Sequence, residues 1–529
     1  MPKLTDKFNV VEASIEDLHN ALISGKTSVV EVTQSYIDRV RKYNGVSSML
    51  VTEDGGDISE VPGIRRGGHE IKFPTKTVKV DDVLPDRRNY MGKQLEFGRM
   101  EKTASKQDVY QQFGMIVGIP NAGQVNALST INIRGERSVT CWGEFDKHPS
   151  EGPLPEGAPA VCEIFRQQPD ALERAAELDA KYGNNPDFNA MPMYGVTFSF
   201  KDPFDTSDMR STGGADAAYD IDFPAQDHLL VKQLREKGAI IFAKAVNTEY
   251  NGRAGDPGGN NSPDVVLPST LGYQRSTWGG NPSNPYDTTR AASLGSSSGS
   301  AVSVSTNMVM ASLGEETRAS CRGPSNHNAI SLILPHKAMI GFDGGAIGAD
   351  IYCDRTGVHG KSLDDCAKIL DALKDPEHGY YDERDPYTTV PRSSIIKTKF
   401  TDNLASKNGQ ASLLGVRLGV ISESLVYPEG SLTEKPIVDA AIKEIKHILS
   451  EKLHGKLVQS SDPLWHIDED MEVMSVDFRK ALTRLLPVFM PDILFRLDSS
   501  GKPLFPDFAN AIKPTEFFPG KEFGNGSLD

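Results

Sequence analysis

The 529-residue sequence has few cysteines, no long apolar run and no excess of positive charge, and each shortage excludes something. Its five cysteines (Cys141, Cys162, Cys321, Cys353 and Cys366) are too few, too scattered and odd in number for a disulfide framework. No Cys-x-x-Cys pair suggests a zinc site. Scarce cysteine makes a reducing, cytoplasmic setting the default. The longest apolar stretch, Leu485 to Phe495, is broken by Pro487, Pro491 and Asp492 and cannot span a bilayer. The start, Met1 to Lys7, lacks the apolar core and cleavage site of a secretory signal. A net charge of −15, spread along the chain, argues against nucleic acid or an anionic membrane as the main partner. Internal repeats and low-complexity segments are absent as well.

Residues 14 to 44 read as two helices. Ser14 with Asp17, and Ser28 with Glu31, form capping boxes, and Gly25 ends the first helix. Val29, Val32, Tyr36 and Val40 make an apolar stripe at helical spacing. From 52 to 165 the chain is rich in Gly, Pro and charge with weak periodicity, which reads as an insertion or lid of short strands and loops. A helix is expected from Asp170 to Tyr182. In the strand that follows, Val196, Phe198 and Phe200 alternate with Thr197, Ser199 and Lys201, giving one apolar and one polar face. A helix over Asp227 to Lys237, stopped by Gly238, leads to the apolar strand Ala239 to Ala243. Further strands are expected at Met308 to Leu313 and Gly415 to Ile421, and an amphipathic helix from Pro436 to Leu449 with Val438, Ala441, Ile445 and Ile448 on one face. Strand, helix, strand in this order predicts an α/β fold: one domain with a large mixed, mainly parallel sheet flanked by helices.

Three short segments carry the chemistry. Lys201, in Phe-Lys-Asp at the end of a core strand, could lose its charge by desolvation and serve as a base; the plain alternative is a strand-end lysine reaching for water. Gly295 to Ala301 contains only Gly, Ser and Ala, which lets backbone approach closely. A phosphate cradle would need a lysine after Gly299, and none follows. Gly314 to Arg322 sets Ser320 just past a strand, where backbone N–H groups can converge on an oxyanion. His327, His336 and His359 offer a rival histidine base near Ser320, but no Gly-x-Ser-x-Gly elbow accompanies them, so they read as core or pocket-wall residues.

Together these segments resemble the amidase signature family. Ser296 and Ser320 are 24 residues apart, the separation expected in that family. The likeness extends to Gly238 through Lys244, Asn247 and Glu249, to Asn281-Pro282-Ser283-Asn284-Pro285, and to Pro335, Gly341, Asp354-Arg355-x-Gly357 and Asp385-Pro386-Tyr387-Thr388. It covers roughly residues 10 to 50 and 170 to 450. The resemblance implies Ser320 as nucleophile, Ser296 as a bridging serine held by a cis peptide, and Lys201 as terminal base. The backbone N–H groups of Thr317, Arg318, Ala319 and Ser320 would form the oxyanion hole, with Gly295, Ser297, Glu316 and Arg322 supporting the loops. The implied reaction is hydrolysis of a small-molecule amide without metal or organic cofactor; carbamates, ureas, peptide amides or a partner-dependent glutamine amidotransferase role are the alternatives, and a homo-oligomer is possible. Departures from the pattern are Arg318-Ala319 for the family's Gly-Gly, Leu294 and Ser298 for glycines, the insertion at 52 to 165, and an end at Phe523 to Asp529 ahead of the family's late sheet segment.

Overall fold

The computed structural model describes residues 8–44, 125–138, 143–148, 152–214, 226–248, 282–291, 295–317, 319–341, 354–383, 385–404, 412–421 and 434–460, plus a few isolated residues and short strands. Expectations that concern Leu294, Arg318, Glu249, Asn281, the apolar run at 485–495, the chain end and most of 52–165 fall outside these residues.

Two helices open the fold as expected. Helix α1 (Ile15–Ile23) and helix α2 (Val29–Tyr43) each begin with a complete capping box, on Ser14/Asp17 and Ser28/Glu31. Asp179 caps α2 a second time, accepting from the N–H groups of Val29 at 3.0 Å and Val30 at 2.9 Å. The apolar stripe of α2 is buried, Tyr36 included. Its polar side fixes a distant turn: Arg39 donates to the carbonyls of Thr306 (2.7 Å) and Asn307 (2.8 Å).

The core is a six-stranded mixed sheet. In chain order its strands are β1 (Leu128–Ile131), β2 (Thr197–Lys201), β3 (Ile240–Ala245), β4 (Ala311–Glu316), β5 (Ser331–Ile333) and β6 (Arg355–Gly360). Their order in space is β5-β6-β4-β2-β3-β1. The three central strands β4, β2 and β3 are parallel, and the outer pairings are antiparallel. Helix α3 (Cys162–Arg166), α4 (Ala171–Tyr182), α5 (Leu229–Glu236), α6 (Ser298–Ser305), α7 (Arg322–His327) and α8 (Leu363–Leu373) complete this unit. β1 comes from within the 52–165 segment yet pairs with β3, so that part of the segment is built into the main sheet.

The described residues fall into two compact units, one up to residue 397 and the other from residue 398 on. The second unit contains parallel strands β7 (Arg417–Ile421) and β8 (Lys456–Ser460) and helix α9 (Glu434–Lys446), continued by a π-helical turn over His447–Lys452. Within it Ile437, Ile445 and Ile448 are exposed, whereas Val438 is half-buried.

Three expectations need correction. The strand read from Met308 begins at Ala311, because Asn307 adopts a left-handed φ of 56° and 306–310 form turns. The strand of Lys201 has no solvated face: Thr197, Ser199 and Lys201 are as fully buried as Phe198 and Phe200. A central parallel strand is covered on both sides. Here the polar side is satisfied internally, with Ser199 Oγ 3.0 Å from Ser303 Oγ and donating to Ser312 Oγ at 2.8 Å. Finally, Cys141 and Cys162 form a disulfide, with Cα atoms 5.3 Å apart across a separation of 21 residues. The turn at Gly143–Asp146 returns the chain to α3, where Arg137 pairs with buried Asp146 at 2.8 Å and its guanidinium lies 4.4 Å from the Phe165 ring. Among the described residues no helix is long and apolar enough to cross a membrane.

Candidate active site

Lys201 ends β2 with no exposed surface. Its Nζ donates to Ser296 Oγ at 2.8 Å and to the Glu315 carbonyl at 3.2 Å, and lies 3.6 Å from Glu315 Oε2. Burial pushes the lysine below its ordinary pKa, because the charged form loses its hydration; the carboxylate of Glu315 works the other way. The reading of Lys201 as a solvent-reaching side chain is thereby excluded.

Ser296 and Ser297 occupy the turn that leads into α6, whose first residue is Ser298; only the front of the Gly/Ser/Ala run is a loop. Both serines are buried. The Ser296 carbonyl accepts from Thr248 N–H at 3.3 Å. Ser297 ties the two serine segments together: its N–H donates to the Ser320 carbonyl at 3.0 Å, and its hydroxyl donates to the Glu315 carbonyl at 2.9 Å. Space here is tight. A methyl group on Gly314 would sit 2.4 Å from His359 Nε2 and 3.0 Å from Ser297 Oγ. Among the described residues no peptide is cis, so the cis bond implied at Ser296 is not present; the trans backbone already delivers the Ser296 hydroxyl to Lys201.

Ser320 lies half-buried between β4 and α7. No hydrogen bond among the described residues joins its hydroxyl to that of Ser296. The turn around it hangs on Glu316, a fully buried carboxylate. One oxygen accepts from the N–H groups of Cys321 and Arg322, both at 3.0 Å. The other accepts from Arg322 Nε at 2.7 Å and Arg355 Nη2 at 3.1 Å. Thr317 donates its hydroxyl to Asp354. Ala319, where the family has glycine, is not among the described residues with positive φ, so its Cβ brings no backbone strain.

The histidines do not supply a base. His327 and His336 are exposed rather than core residues. His359 is buried against β4, bonds Ser325 Oγ at 2.9 Å, and is pushed down to about 3 by burial. Cys321 is equally inert, its thiol pushed up to about 12 by burial. Among the described residues no group of three or more His, Cys, Asp or Glu could hold a metal ion.

Three residues at or around the Lys201–Glu315 pair were given no role from the sequence. Glu315 adjoins the Lys201 amine, Asn251 Nδ2 donates to Glu315 Oε2 at 3.0 Å, and Asp202 Oδ2 accepts from the N–H groups of Thr212 (2.8 Å) and Gly214 (3.1 Å). Only Asp202 had a visible signal, its place beside Lys201.

A mixed α/β sheet here buries a lysine amine against a serine hydroxyl, which sets a candidate base beside a hydroxyl it could activate. Residues 160–451, more than half of the chain, match the Amidase family, and the chain belongs to it. A Schizosaccharomyces pombe protein named as an amidase is 31% identical over 263 residues, 50% of this chain and 41% of that protein. A glutamyl-tRNA(Gln) amidotransferase subunit from an Azoarcus species is 29% identical over 288 residues, 54% of this chain and 52% of the relative. The chain thus spans about half the length of these relatives. Among solved structures, native peptide amidase from Stenotrophomonas maltophilia superposes with a TM-score of 0.55 at 19% identity, covering 95% of this chain and 70% of that one, a likeness of fold.

Proposed function

We propose that this protein is an amide hydrolase that works through an acyl-enzyme on Ser320. The observation that carries the reading is the 2.8 Å contact between the buried Lys201 amine and the Ser296 hydroxyl. In its neutral form Lys201 accepts the Ser296 proton while Ser296 accepts that of Ser320, whose oxygen attacks the amide carbonyl. The proton returns through the same relay to the leaving nitrogen, the C–N bond breaks, and ammonia or an amine departs. Water, deprotonated by the same route, then cleaves the ester and restores Ser320. The backbone N–H groups of Thr317, Arg318, Ala319 and Ser320 are the candidate oxyanion hole, and Glu316 anchors the chain just after them by accepting from the Cys321 and Arg322 N–H groups. The Ser320-to-Ser296 contact belongs to the substrate complex, since catalytic hydrogen bonds often tighten only there.

Small amides are the proposed substrates, with carbamates, ureas and peptide amides as variants of the same chemistry. A second reading is favoured by the amidotransferase relatives: a component that releases ammonia from glutamine for a partner protein. Treatment with a fluorophosphonate followed by peptide mass spectrometry tests both. A single adduct on Ser320, lost in Ser320→Ala, supports the acyl-enzyme, and turnover of an amide by the isolated chain then selects the hydrolase. No adduct on the folded protein overturns the free-standing hydrolase.

A further inference from the structure

We propose that Glu315 is a positioning residue for Lys201: its carboxylate turns the lysine lone pair toward Ser296 and stabilises the ammonium that forms as Ser320 attacks. The inference rests on the Ser320–Ser296–Lys201 reading above and concerns how the base of that relay is set.

The geometry carries it. Glu315 sits in β4 with no exposed surface, and it meets Lys201 Nζ twice, through its carbonyl at 3.2 Å and its Oε2 at 3.6 Å. Ser296 Oγ at 2.8 Å is the third neighbour. Three acceptors thus surround an amine that carries three hydrogens when charged. In the neutral amine one hydrogen serves the Glu315 carbonyl and the other is turned toward the Glu315 carboxylate across 3.6 Å, which leaves the lone pair to face the Ser296 hydroxyl, as a base requires. After proton transfer the third hydrogen is bonded to Lys201 Nζ and donates back to the Ser296 oxygen, and the new ammonium is already beside a carboxylate. Asp performs this service for the imidazolium of a Ser-His-Asp triad. Among the described residues Glu315 Oε1 is buried with no hydrogen-bond partner, and Asn251 Nδ2 donates to Oε2 at 3.0 Å. A buried carboxylate left this bare is costly unless a nearby cation compensates it.

Other groups also face Lys201: Cys321 ahead of α7, Asp354 before β6 and His359 within β6. Burial keeps Cys321 and His359 uncharged near neutrality. Asp354 is engaged by the Thr317 hydroxyl. Glu315 is the anion that touches the amine.

The test follows the rate of fluorophosphonate labelling at Ser320 against pH, which needs no known substrate. Wild type should show an acid limb as Lys201 takes up a proton, and Lys201→Ala should lose most of the labelling. Glu315→Gln keeps the shape and removes the charge. Its plateau should fall at least tenfold because the base is weaker, while its acid limb moves about one unit or more to lower pH, a tenfold change in the proton equilibrium. A merely structural role would lower the plateau and leave the limb in place, which overturns the inference while Lys201 and Ser320 stand. If wild-type Ser320 is unlabelled, or Lys201→Ala labels like wild type, the relay itself fails and this inference falls with it. Should the amide variant not fold, Glu315→Met, apolar and of similar length, must move the limb in the same direction.

Discussion

Replacing Gly299 with alanine is the sharpest structural test of how the serine loop is seated. Gly299 lies in the first turn of α6 and donates its N–H to the Val246 carbonyl at 2.9 Å. A Cβ there would fall 2.3 Å from Ala127 O, 2.4 Å from Val246 N and 2.5 Å from Val246 O. All three are backbone atoms at the β1–β3 end of the sheet, and Val246 N–H itself donates to Ala127 O at 2.9 Å. The methyl would sit on a backbone hydrogen bond and cannot swing aside. Restoring normal contact needs a movement of about 1 Å, which breaks both bonds at about 1 kcal/mol each and adds about 1–3 kcal/mol of overpacking. Alanine regains about 1 kcal/mol of helix propensity. The net loss is about 2–4 kcal/mol, read as a lower urea midpoint at unchanged slope. Ser300→Ala, one residue on, is the control: it removes a buried hydroxyl with no partner among the described residues and should be neutral or stabilising. A Gly299→Ala protein within about 0.5 kcal/mol of wild type refutes the packing argument.

Lys201→Met should reduce labelling of Ser320 by about 10²–10⁴-fold while the fold persists, as expected for loss of a general base; a smaller change removes Lys201 from the mechanism. Because its folded pKa is depressed, the cost of burying Lys201 is fully felt below that value and vanishes above the ordinary lysine value. Wild-type stability should therefore rise with pH across that interval, and a urea-midpoint series should show this slope lost in Lys201→Met. Glu316→Gln removes the charge that gathers Arg322, Arg355 and two backbone N–H groups, and should cost about 1.5–3 kcal/mol and slow Ser320 labelling more than tenfold. Wild-type stability with normal labelling in that variant would dismiss Glu316 as the brace of the loop. Cys141→Ser opens a loop of 21 residues and should cost about 3 kcal/mol in the chain-entropy estimate; a non-reducing peptide map must first show the Cys141–Cys162 cross-link.

Local signals carried most of the fold. Capping boxes at Ser14, Ser28 and Asp170 set helix starts to within a residue, because side chain and backbone satisfy one another inside four residues. Gly238, at φ 86°, marks where α5 gives way to β3. Periodicity separated the two faces of β2 but not the burial of the polar one. Alternation between Phe and Ser or Lys reads as one apolar and one polar face, and α6 covers the polar one, its own Ser303 answering Ser199. A polar residue facing a helix that supplies its partner looks, in one dimension, like a polar residue facing water. The disulfide failed for a related reason: five scattered cysteines hide a pair that only the turn at 143–146 brings together.

The site divides along the same line. Lys201, Ser296, Ser320, Glu316 and Arg322 were legible as a pattern of residue types at fixed separations. The environment of the lysine was not. Glu315 belongs to a strand that pairs with β2 across a gap of more than a hundred residues, and its neighbour Asn251 comes from a different segment again. The strength of the proposed base rests on a balance between desolvation, which favours the neutral form, and nearby acidic groups, Glu315 first, which favour the charged form. Desolvation was legible from the place of the strand in the core; the carboxylate leaves no mark at positions 200–202. A sequence motif can therefore nominate a base, while the strength and lone-pair direction proposed for it depend on β4, the strand beside it.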